Sequence, residues 1–155
     1  MNHEQRLAEL GITLPEVAAP VAAYVPAVQT GRYVYTSGQL PFAEGTLQAT
    51  GKVGEGEGLV SPDAAADYAR TCALNALAAV RSITGSLDSI SRIVKVVGFV
   101  ASDPSFTGQP GVINGASTVL GEIFGDAGLH ARSAVGVAVL PMDSPVEVEL
   151  VVELA

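Results

Sequence analysis

Arg132 is the residue whose type and setting carry the clearest chemical information. It stands among small apolar residues in the run HARSAVGV (130–137), in a chain with eight basic residues against sixteen acidic ones. A guanidinium in such surroundings is costly to desolvate unless an anion meets it. Its planar donor fork fits a carboxylate or a phosphate at two points. We therefore predict either a small-anion anchor or an internal ion pair with a glutamate.

Three glutamates, Glu147, Glu149 and Glu153, have the same parity in the stretch VEVELVVEL (146–154). In a strand, residues of the same parity share one face. Such a face is typical of a solvated sheet edge. If the face instead forms a subunit interface, burial raises the proton affinity of these carboxylates or supplies an arginine partner, and one of them becomes a candidate general base.

Other chemically active side chains lack a supporting motif. Ser37, in TSGQ (36–39), is outside any GxSxG pattern and far in sequence from both histidines, so we interpret it as a turn or ligand-contact serine. His130, two residues before Arg132, fits both a loop role and a catalytic one. We expect His3 to lie in a mobile N-terminus without a role, and Cys72 to be an inert core residue.

The glycine-rich segment GKVGEGEG (51–58) does not predict a phosphate site. It lacks the GxxxxGK(S/T) pattern, and its two glutamates would repel a phosphate. The single cysteine excludes an internal disulfide, and no Cys/His spacing suits zinc. We therefore predict a protein that works without a metal or another cofactor.

The composition predicts a single domain that self-associates. The 155 residues suffice for a real core, yet only 15% are charged, against about 25% in typical soluble domains. A chain short of charge often hides surface between subunits. The net charge of −8, without a basic run, argues against a nucleic-acid partner. No apolar stretch reaches membrane-spanning length and the N-terminus does not resemble a signal peptide, so we expect a cytoplasmic protein without a membrane partner.

Capping residues and periodicity predict the elements that position these side chains. A short amphipathic helix over residues 2–10 precedes a proline-containing arm over 13–26, and we divide the chain into an N-terminal helix and arm (1–20) and a single domain (21–155). The other predicted elements are a strand at 32–37, a loop or weak hairpin at 45–58, a helix from Ser61-Pro62 to about residue 84, a strand at 93–101, a helix at about 110–124, and strands at 133–140 and 146–154.

This order of elements predicts an α+β domain, a mixed β-sheet with two helices packed on one face. The strand at 93–101 is apolar on both alternating faces, as a central strand covered on both sides would be. The helices cover only one of those faces. We therefore expect a partner subunit to cover the other.

Three segments together resemble the Rid family, the YjgF-type reactive intermediate or imine deaminases, which share the chorismate-mutase-like fold. They are YTSGQLP (35–41), VKVVGFV (94–100) and the stretch from ARS through LP to EVE (131–149), in the family's order. The resemblance implies a homotrimer with three sites between subunits. It also implies that an arginine holds the carboxylate of a 2-imino acid, released by pyridoxal-phosphate dehydratases, while water hydrolyses the imine to a 2-oxo acid and ammonia.

The resemblance assigns roles to individual residues. Arg132 matches the carboxylate-binding arginine, and Glu147 matches the acid that positions water. Ser37 matches the serine of the TSGQ turn, Tyr24 an aromatic residue that lines the site, and Asn114 an asparagine of the pocket. The resemblance thus implies Arg132 and Glu147 as catalytic residues and the other three as substrate-binding residues.

The rim of the implied site departs from the usual family pattern. Many members have PARSC where this chain has HARSA (130–134), so Ala134 stands in place of a cysteine. We expect Ala134 to contact substrate through its backbone groups alone. The N-terminal helix and arm are additional to the compact members, as in a longer branch that carries the label "putative endoribonuclease".

The sequence is compatible with two other functions. A noncatalytic trimer that binds small carboxylates needs Arg132 equally, and the sequence does not separate it from an imine deaminase. An endoribonuclease or translation inhibitor, an activity attributed to some relatives, finds no basic track for RNA in a chain of net charge −8.

Overall fold

A computed structural model describes residues 2–17 and 23–155 of the chain as an α+β domain. The predicted boundary at residues 20 and 21 lies outside the described residues. Short 3₁₀ turns occur at Leu87–Ser89, Gly125–Gly128 and Pro141–Asp143. The helices are α1 (His3–Glu9), α2 (Pro62–Thr84) and α3 (Gln109–Phe124), and the strands are β1 (Ala27–Thr30), β2 (Tyr33–Thr36), β3 (Phe42–Ala43), β4 (Thr46–Leu47), β5 (Ile90–Ala101), β6 (Ala131–Val137) and β7 (Val146–Leu154).

A five-stranded sheet organises the domain, and it is mixed, as predicted. Its strand order is β1-β2-β7-β5-β6, and each neighbouring pair is antiparallel except the parallel pair β5 and β6. Strands β3 and β4 form a separate hairpin. The parallel pair is joined through α3, which is the right length of connection for a parallel crossover.

Helix α2 begins and ends where its capping residues predict. Ser61 is the N-cap, and its side chain accepts a hydrogen bond from the backbone N–H of Ala64. Pro62 follows at the first helical position, where its missing N–H costs nothing. Gly85 ends the helix in the left-handed conformation, with φ of 81°.

Helices α2 and α3 pack together on one face of the sheet, as the sequence predicted. A glycine at each contact permits the close approach. A Cβ at Gly115 of α3 would collide with the backbone carbonyl of Ala66 in α2, and a Cβ at Gly98 of β5 would collide with the side chain of Ile113. The small side chains of α2 therefore allow a thin, tightly packed core rather than one built on large aromatic residues.

Helix α1 packs outside this layer, against α3 and the turn at Leu87–Ser89. The expectation that His3 lies in a mobile terminus was wrong. Its side chain is buried, and its Nε2 lies 3.2 Å from the carbonyl oxygen of Ile90. Its ring packs against Phe124 at an interplanar angle of 54°, with centroids 4.6 Å apart. The Glu4 carboxylate also accepts hydrogen bonds from the Leu87 N–H and from Arg81. These bonds attach α1 to the turn at Leu87–Ser89 and to the end of α2.

The opposite face of the sheet carries exposed apolar side chains. Val28, Tyr33 and Tyr35 on β1 and β2, and Val135 on β6, each expose between 41% and 52% of their surface. On β7 the even-numbered residues are buried against the helices, whereas the odd-numbered ones are only partly buried. Exposed apolar side chains grouped on a sheet face are typical of a protein-protein contact.

Several predicted boundaries shifted. Strand β1 was not predicted, because its AVQT sequence has little strand signature beside the proline-containing arm. The strand predicted at 133–140 begins two residues earlier and ends at Val137, whose carbonyl accepts a hydrogen bond from the Ser102 N–H.

Among the described helices, none is long and apolar enough to cross a lipid bilayer.

Candidate active site

Arg132 is the second residue of the edge strand β6. It pairs in register with Val96 of β5, which pairs with Leu150 of β7, and both partners are buried against the helices. Residues in register point to the same face of a sheet. The Arg132 side chain therefore extends from the sheet edge to the side that carries α3.

The guanidinium of Arg132 is held by neutral oxygen atoms. Its Nη1 donates to Asn114 Oδ1 at 2.8 Å and to Ser117 Oγ at 3.2 Å, and its Nη2 donates to the Pro110 carbonyl at 3.4 Å. No hydrogen bond from Nε occurs among the described residues, and Nη2 makes a single, long one. Nε–H and the Nη2–H beside it form the edge of a guanidinium that suits a two-point contact with a carboxylate.

The internal ion pair considered for Arg132 is not formed within the described part of a single chain. The ion pairs recorded there belong to other arginines, namely Arg6, Arg32, Arg70 and Arg81. The positive charge of Arg132 is thus stabilised by neutral dipoles alone, which leaves it able to attract an anion.

Ser117 and His130 also belong to this cluster, and the sequence had not indicated Ser117. His130 Nε2 lies 2.9 Å from Ser117 Oγ, and His130 Nδ1 lies 2.6 Å from the Gly128 carbonyl oxygen. Asn114 and Ser117 are three residues apart on α3, so they share one helix face. That spacing was the available signal, once Asn114 had been singled out.

Glu147 lies in a second group of residues, at the end of β2. Its carboxylate rests against Gly38, where a Cβ would lie only 2.7 Å from Glu147 Oε2, so a side chain at position 38 would force the carboxylate to move. The neighbouring Ser37 hydroxyl donates to the Val25 carbonyl at 2.6 Å and ties the arm to this turn. Tyr24, the residue before Val25, has 47% of its surface exposed.

The pKa of Glu147 is raised. Partial burial of the carboxylate is the larger cause, and the negative charge of Glu149 is the smaller one. Both effects disfavour the ionised form. A glutamate with a raised pKa holds its proton to higher pH than usual, which brings it closer to the proton affinity of a general base that works near neutral pH.

The two groups lie on opposite faces of the sheet. Glu147 pairs in register with Phe99, which pairs with Val135, and this row faces away from α2 and α3. Arg132 is also two strands away from β7, a separation of about 10 Å. A single chain therefore brings Arg132 together with Asn114, and Glu147 close to Ser37, but it does not bring Arg132 to Glu147.

Ala134 lies on the same side of the sheet as Arg132. It pairs with Gly98 and packs, partly buried, against the core. An open cavity of about 520 Å³ lies beside the arginine cluster. His130 and its neighbour Ala131 line it, whereas Arg132, Asn114 and Ser117 do not. The other residues that line it are Tyr33, Arg92, Ile93, Val94, Leu129 and Glu153.

Metal-binding and thiol chemistry have no geometric basis in residues 2–17 and 23–155. No cluster of three or more His, Cys, Asp or Glu side chains is arranged there to hold a metal ion. Cys72 is fully buried, and burial, with a smaller contribution from Glu147, raises the pKa of its thiol. The thiol is therefore protonated at neutral pH and a poor nucleophile, in agreement with its prediction as a core residue.

Comparison with known proteins identifies relatives along nearly the whole chain. The sequence profile of the family described as "YjgF/chorismate mutase-like, putative endoribonuclease" matches residues 4–154. Protein TCP17 of Trypanosoma cruzi is 44% identical over 149 residues, which cover 96% of this chain and 91% of that protein.

Two crystal structures share both sequence and fold with this chain. The protein Atu1372 of Agrobacterium tumefaciens, described as having unknown function, is 43% identical with a TM-score of 0.88, and the match covers 99% of this chain and 92% of that one. A "putative endoribonuclease" from Shewanella oneidensis is 34% identical with a TM-score of 0.93, covering 99% and 100%. The chain therefore belongs to the YjgF, or Rid, family and has the chorismate-mutase-like fold.

Proposed function

We propose that this protein hydrolyses small 2-imino acids, such as 2-iminopropanoate and 2-iminobutanoate, to 2-oxo acids and ammonia, at sites between the subunits of a homotrimer. The observation that carries the proposal is the Arg132 guanidinium, which neutral oxygens hold in place and which forms no ion pair and no Nε hydrogen bond among the described residues. As part of the same proposal, the reaction takes place in the cytoplasm.

The chemistry needs few groups, because an imine hydrolyses in water unaided. Arg132 binds the substrate carboxylate and fixes the position of the imine carbon. Glu147 takes a proton from a water molecule as the water oxygen attacks that carbon and the C=N electron pair moves to nitrogen. Glu147 returns this proton to the nitrogen, which gives the carbinolamine. The new hydroxyl then loses its proton to Glu147 while the nitrogen takes up a further proton, so that the C=O bond forms as the C–N bond breaks. Ammonia leaves, and the 2-oxo acid remains. Orientation of water and substrate supplies most of the acceleration, since no cofactor chemistry is involved.

The proposed position between subunits rests on the separation of the two groups. Arg132 and Glu147 lie on opposite faces of one sheet, so a site that contains both must combine two copies of the chain. The exposed apolar face of the sheet, with Tyr33, Tyr35 and Val135, supplies a surface for such an assembly. In this arrangement Tyr24, Ser37, Asn114 and the backbone of Ala134 line the substrate-binding site.

A noncatalytic trimer that binds small carboxylates is the second candidate, and the same Arg132 cluster favours it. The endoribonuclease named in the family description requires a surface that attracts RNA, and the net charge of −8 opposes this. The binding trimer forms no product and an endoribonuclease cleaves RNA rather than an imine, so a direct assay separates all three functions.

The assay generates 2-iminobutanoate and 2-iminopropanoate in solution and follows ammonia release, with semicarbazide as a competing trap. The proposal predicts faster ammonia release and less semicarbazone than without protein. Binding of 2-oxobutanoate without any acceleration would establish the binding trimer instead. Cleavage of single-stranded RNA by the pure protein, unaffected by Arg132→Ala, would favour the endoribonuclease.

A further inference from the structure

The hydrogen bonds around His130 fix which of its ring nitrogens carries the proton. The Gly128 carbonyl, 2.6 Å from Nδ1, can only accept a hydrogen bond, so Nδ1 must carry a hydrogen. In the neutral ring, Nε2 is then an acceptor. The Ser117 hydroxyl, 2.9 Å away, therefore directs its hydrogen to His130 Nε2.

This orientation of the hydroxyl determines what Ser117 offers to Arg132. With its hydrogen directed to His130, the Ser117 oxygen presents its lone pairs to Arg132 Nη1 at 3.2 Å. A freely rotating hydroxyl would turn its hydrogen toward the guanidinium part of the time and weaken this contact. The chain of bonds runs from the Gly128 carbonyl through His130 and Ser117 to Arg132, and each bond polarises the next.

We propose that His130 and Ser117 are positioning residues that hold the Arg132 guanidinium with its side-on edge directed at the substrate carboxylate. The inference rests on the proposed function for the identity of the ligand. Asn114 also accepts a hydrogen bond from Nη1, so two contacts from one face of α3 hold this end of the guanidinium. Neither Ser117 nor His130 needs to contact substrate.

Gly128, whose carbonyl begins this chain of hydrogen bonds, packs tightly against α3. The turn Gly125–Gly128 packs so closely on α3 that a Cβ at Gly128 would lie 2.6 Å from the Leu120 carbonyl oxygen. Gly128 is buried, and its φ lies outside the left-handed region, so the need for glycine here is one of space. The same helix therefore anchors both ends of the His130-Ser117 pair.

The test uses Ser117→Ala and two substitutions of His130 that separate its two hydrogen bonds. In His130→Gln the side-chain oxygen can reach the Nε2 position and accept from Ser117. In His130→Asn the amide can reach only the Nδ1 position, near Gly128. Thr118→Ala is the matched control, because Thr118 is the next residue of α3 and is exposed.

The first readout is independent of any activity. In ¹⁵N NMR spectra of the ligand-free protein, we expect the His130 ring to show an unprotonated Nε2, and the Arg132 Nε–H to be well ordered. Ser117→Ala and His130→Asn should lower the order parameter of Arg132 Nε, whereas Thr118→Ala should not. An unchanged order parameter in Ser117→Ala would overturn the proposal.

The second readout is affinity. Loss of one neutral hydrogen bond to the guanidinium should raise the Kd for 2-oxobutanoate and the KM of hydrolysis about fivefold to tenfold, with little change in kcat. His130→Gln should recover most of the affinity and His130→Asn should not. The double variant, Ser117→Ala with His130→Ala, should be no worse than Ser117→Ala alone, because both act through one contact.

The failures of the two proposals are distinguishable. Wild-type protein that binds 2-oxobutanoate but does not accelerate imine hydrolysis would refute the proposed function, and the Kd series would still test His130 and Ser117. Equal loss of affinity in His130→Gln and His130→Asn, accompanied by a matching fall in Tm, would show that His130 is merely structural and would overturn this inference.

Discussion

Replacement of Arg132 by alanine is the perturbation that most clearly separates a substrate anchor from a structural arginine. If Arg132 anchors a substrate carboxylate, the substitution removes two charge-assisted hydrogen bonds, worth roughly 3–5 kcal/mol together. That free energy corresponds to a loss of about 10²–10⁴ in kcat/KM. Arg132→Lys should recover only part of the loss, since an ammonium keeps the charge but cannot reproduce the planar fork.

The same substitution should cost the fold little. Arg132 contacts three neutral oxygens, and the Asn114 side chain is exposed, so water can replace the lost donors. Within residues 2–17 and 23–155, no carboxylate of the same chain loses an ion-pair partner through this substitution. A structural arginine that neutralises buried glutamates predicts the reverse, a sharp fall in Tm or loss of assembly, because an unpaired buried charge costs several kcal/mol.

The assay combines kcat/KM for 2-iminobutanoate with Tm and sedimentation of each variant. We expect Arg132→Ala to be folded, assembled and nearly inactive, and to have lost its affinity for 2-oxobutanoate. A folded, assembled Arg132→Ala protein that hydrolyses imines at the wild-type rate would refute the assignment of Arg132.

Further substitutions test Glu147, Cys72 and the helix packing. Glu147→Gln should lower kcat and spare carboxylate affinity, with Glu149→Gln as the control on the same face. Because the pKa of Glu147 is raised, its base form is lost at higher pH than for an ordinary glutamate, so the acid limb of the wild-type pH-rate profile should shift upward and flatten in Glu147→Gln. Cys72→Ala should keep most activity, and the wild-type thiol should resist alkylation until the protein is denatured. Gly115→Ala should destabilise the fold by about 1–3 kcal/mol through its contact with α2, whereas Gly121→Ala, in open space on the same helix, should stabilise it by about 0.5–1 kcal/mol.

The helices and the central strands could be predicted from sequence because local chemistry specifies them. Ser61, Pro62 and Gly85 define the ends of α2, and strict alternation defines β7. Strand β1 could not be predicted in this way, since its pairing with β2 depends on tertiary contact rather than on propensity. The burial of His3 was missed for the same reason, because its partners, Ile90 and Phe124, are distant in sequence.

The candidate site was predictable only in part. Arg132 was conspicuous as a cation among small residues, and Glu147 belonged to an alternating acidic face. Their placement on opposite faces of the sheet depends on strand register, which the sequence of one strand does not reveal. Ser117 carries no motif, and its role depends on the tertiary contact of α3 with His130.

The most direct test of a site shared between subunits is a mixing experiment with Arg132→Ala and Glu147→Gln proteins, each expected to be nearly inactive alone. If every site takes Arg132 from one subunit and Glu147 from its neighbour, random mixed trimers formed from equal amounts restore about one site in four. We therefore predict recovery of about a quarter of the wild-type rate of imine hydrolysis, once mass spectrometry confirms subunit exchange. Mixed trimers that stay as inactive as their parents would contradict the shared site.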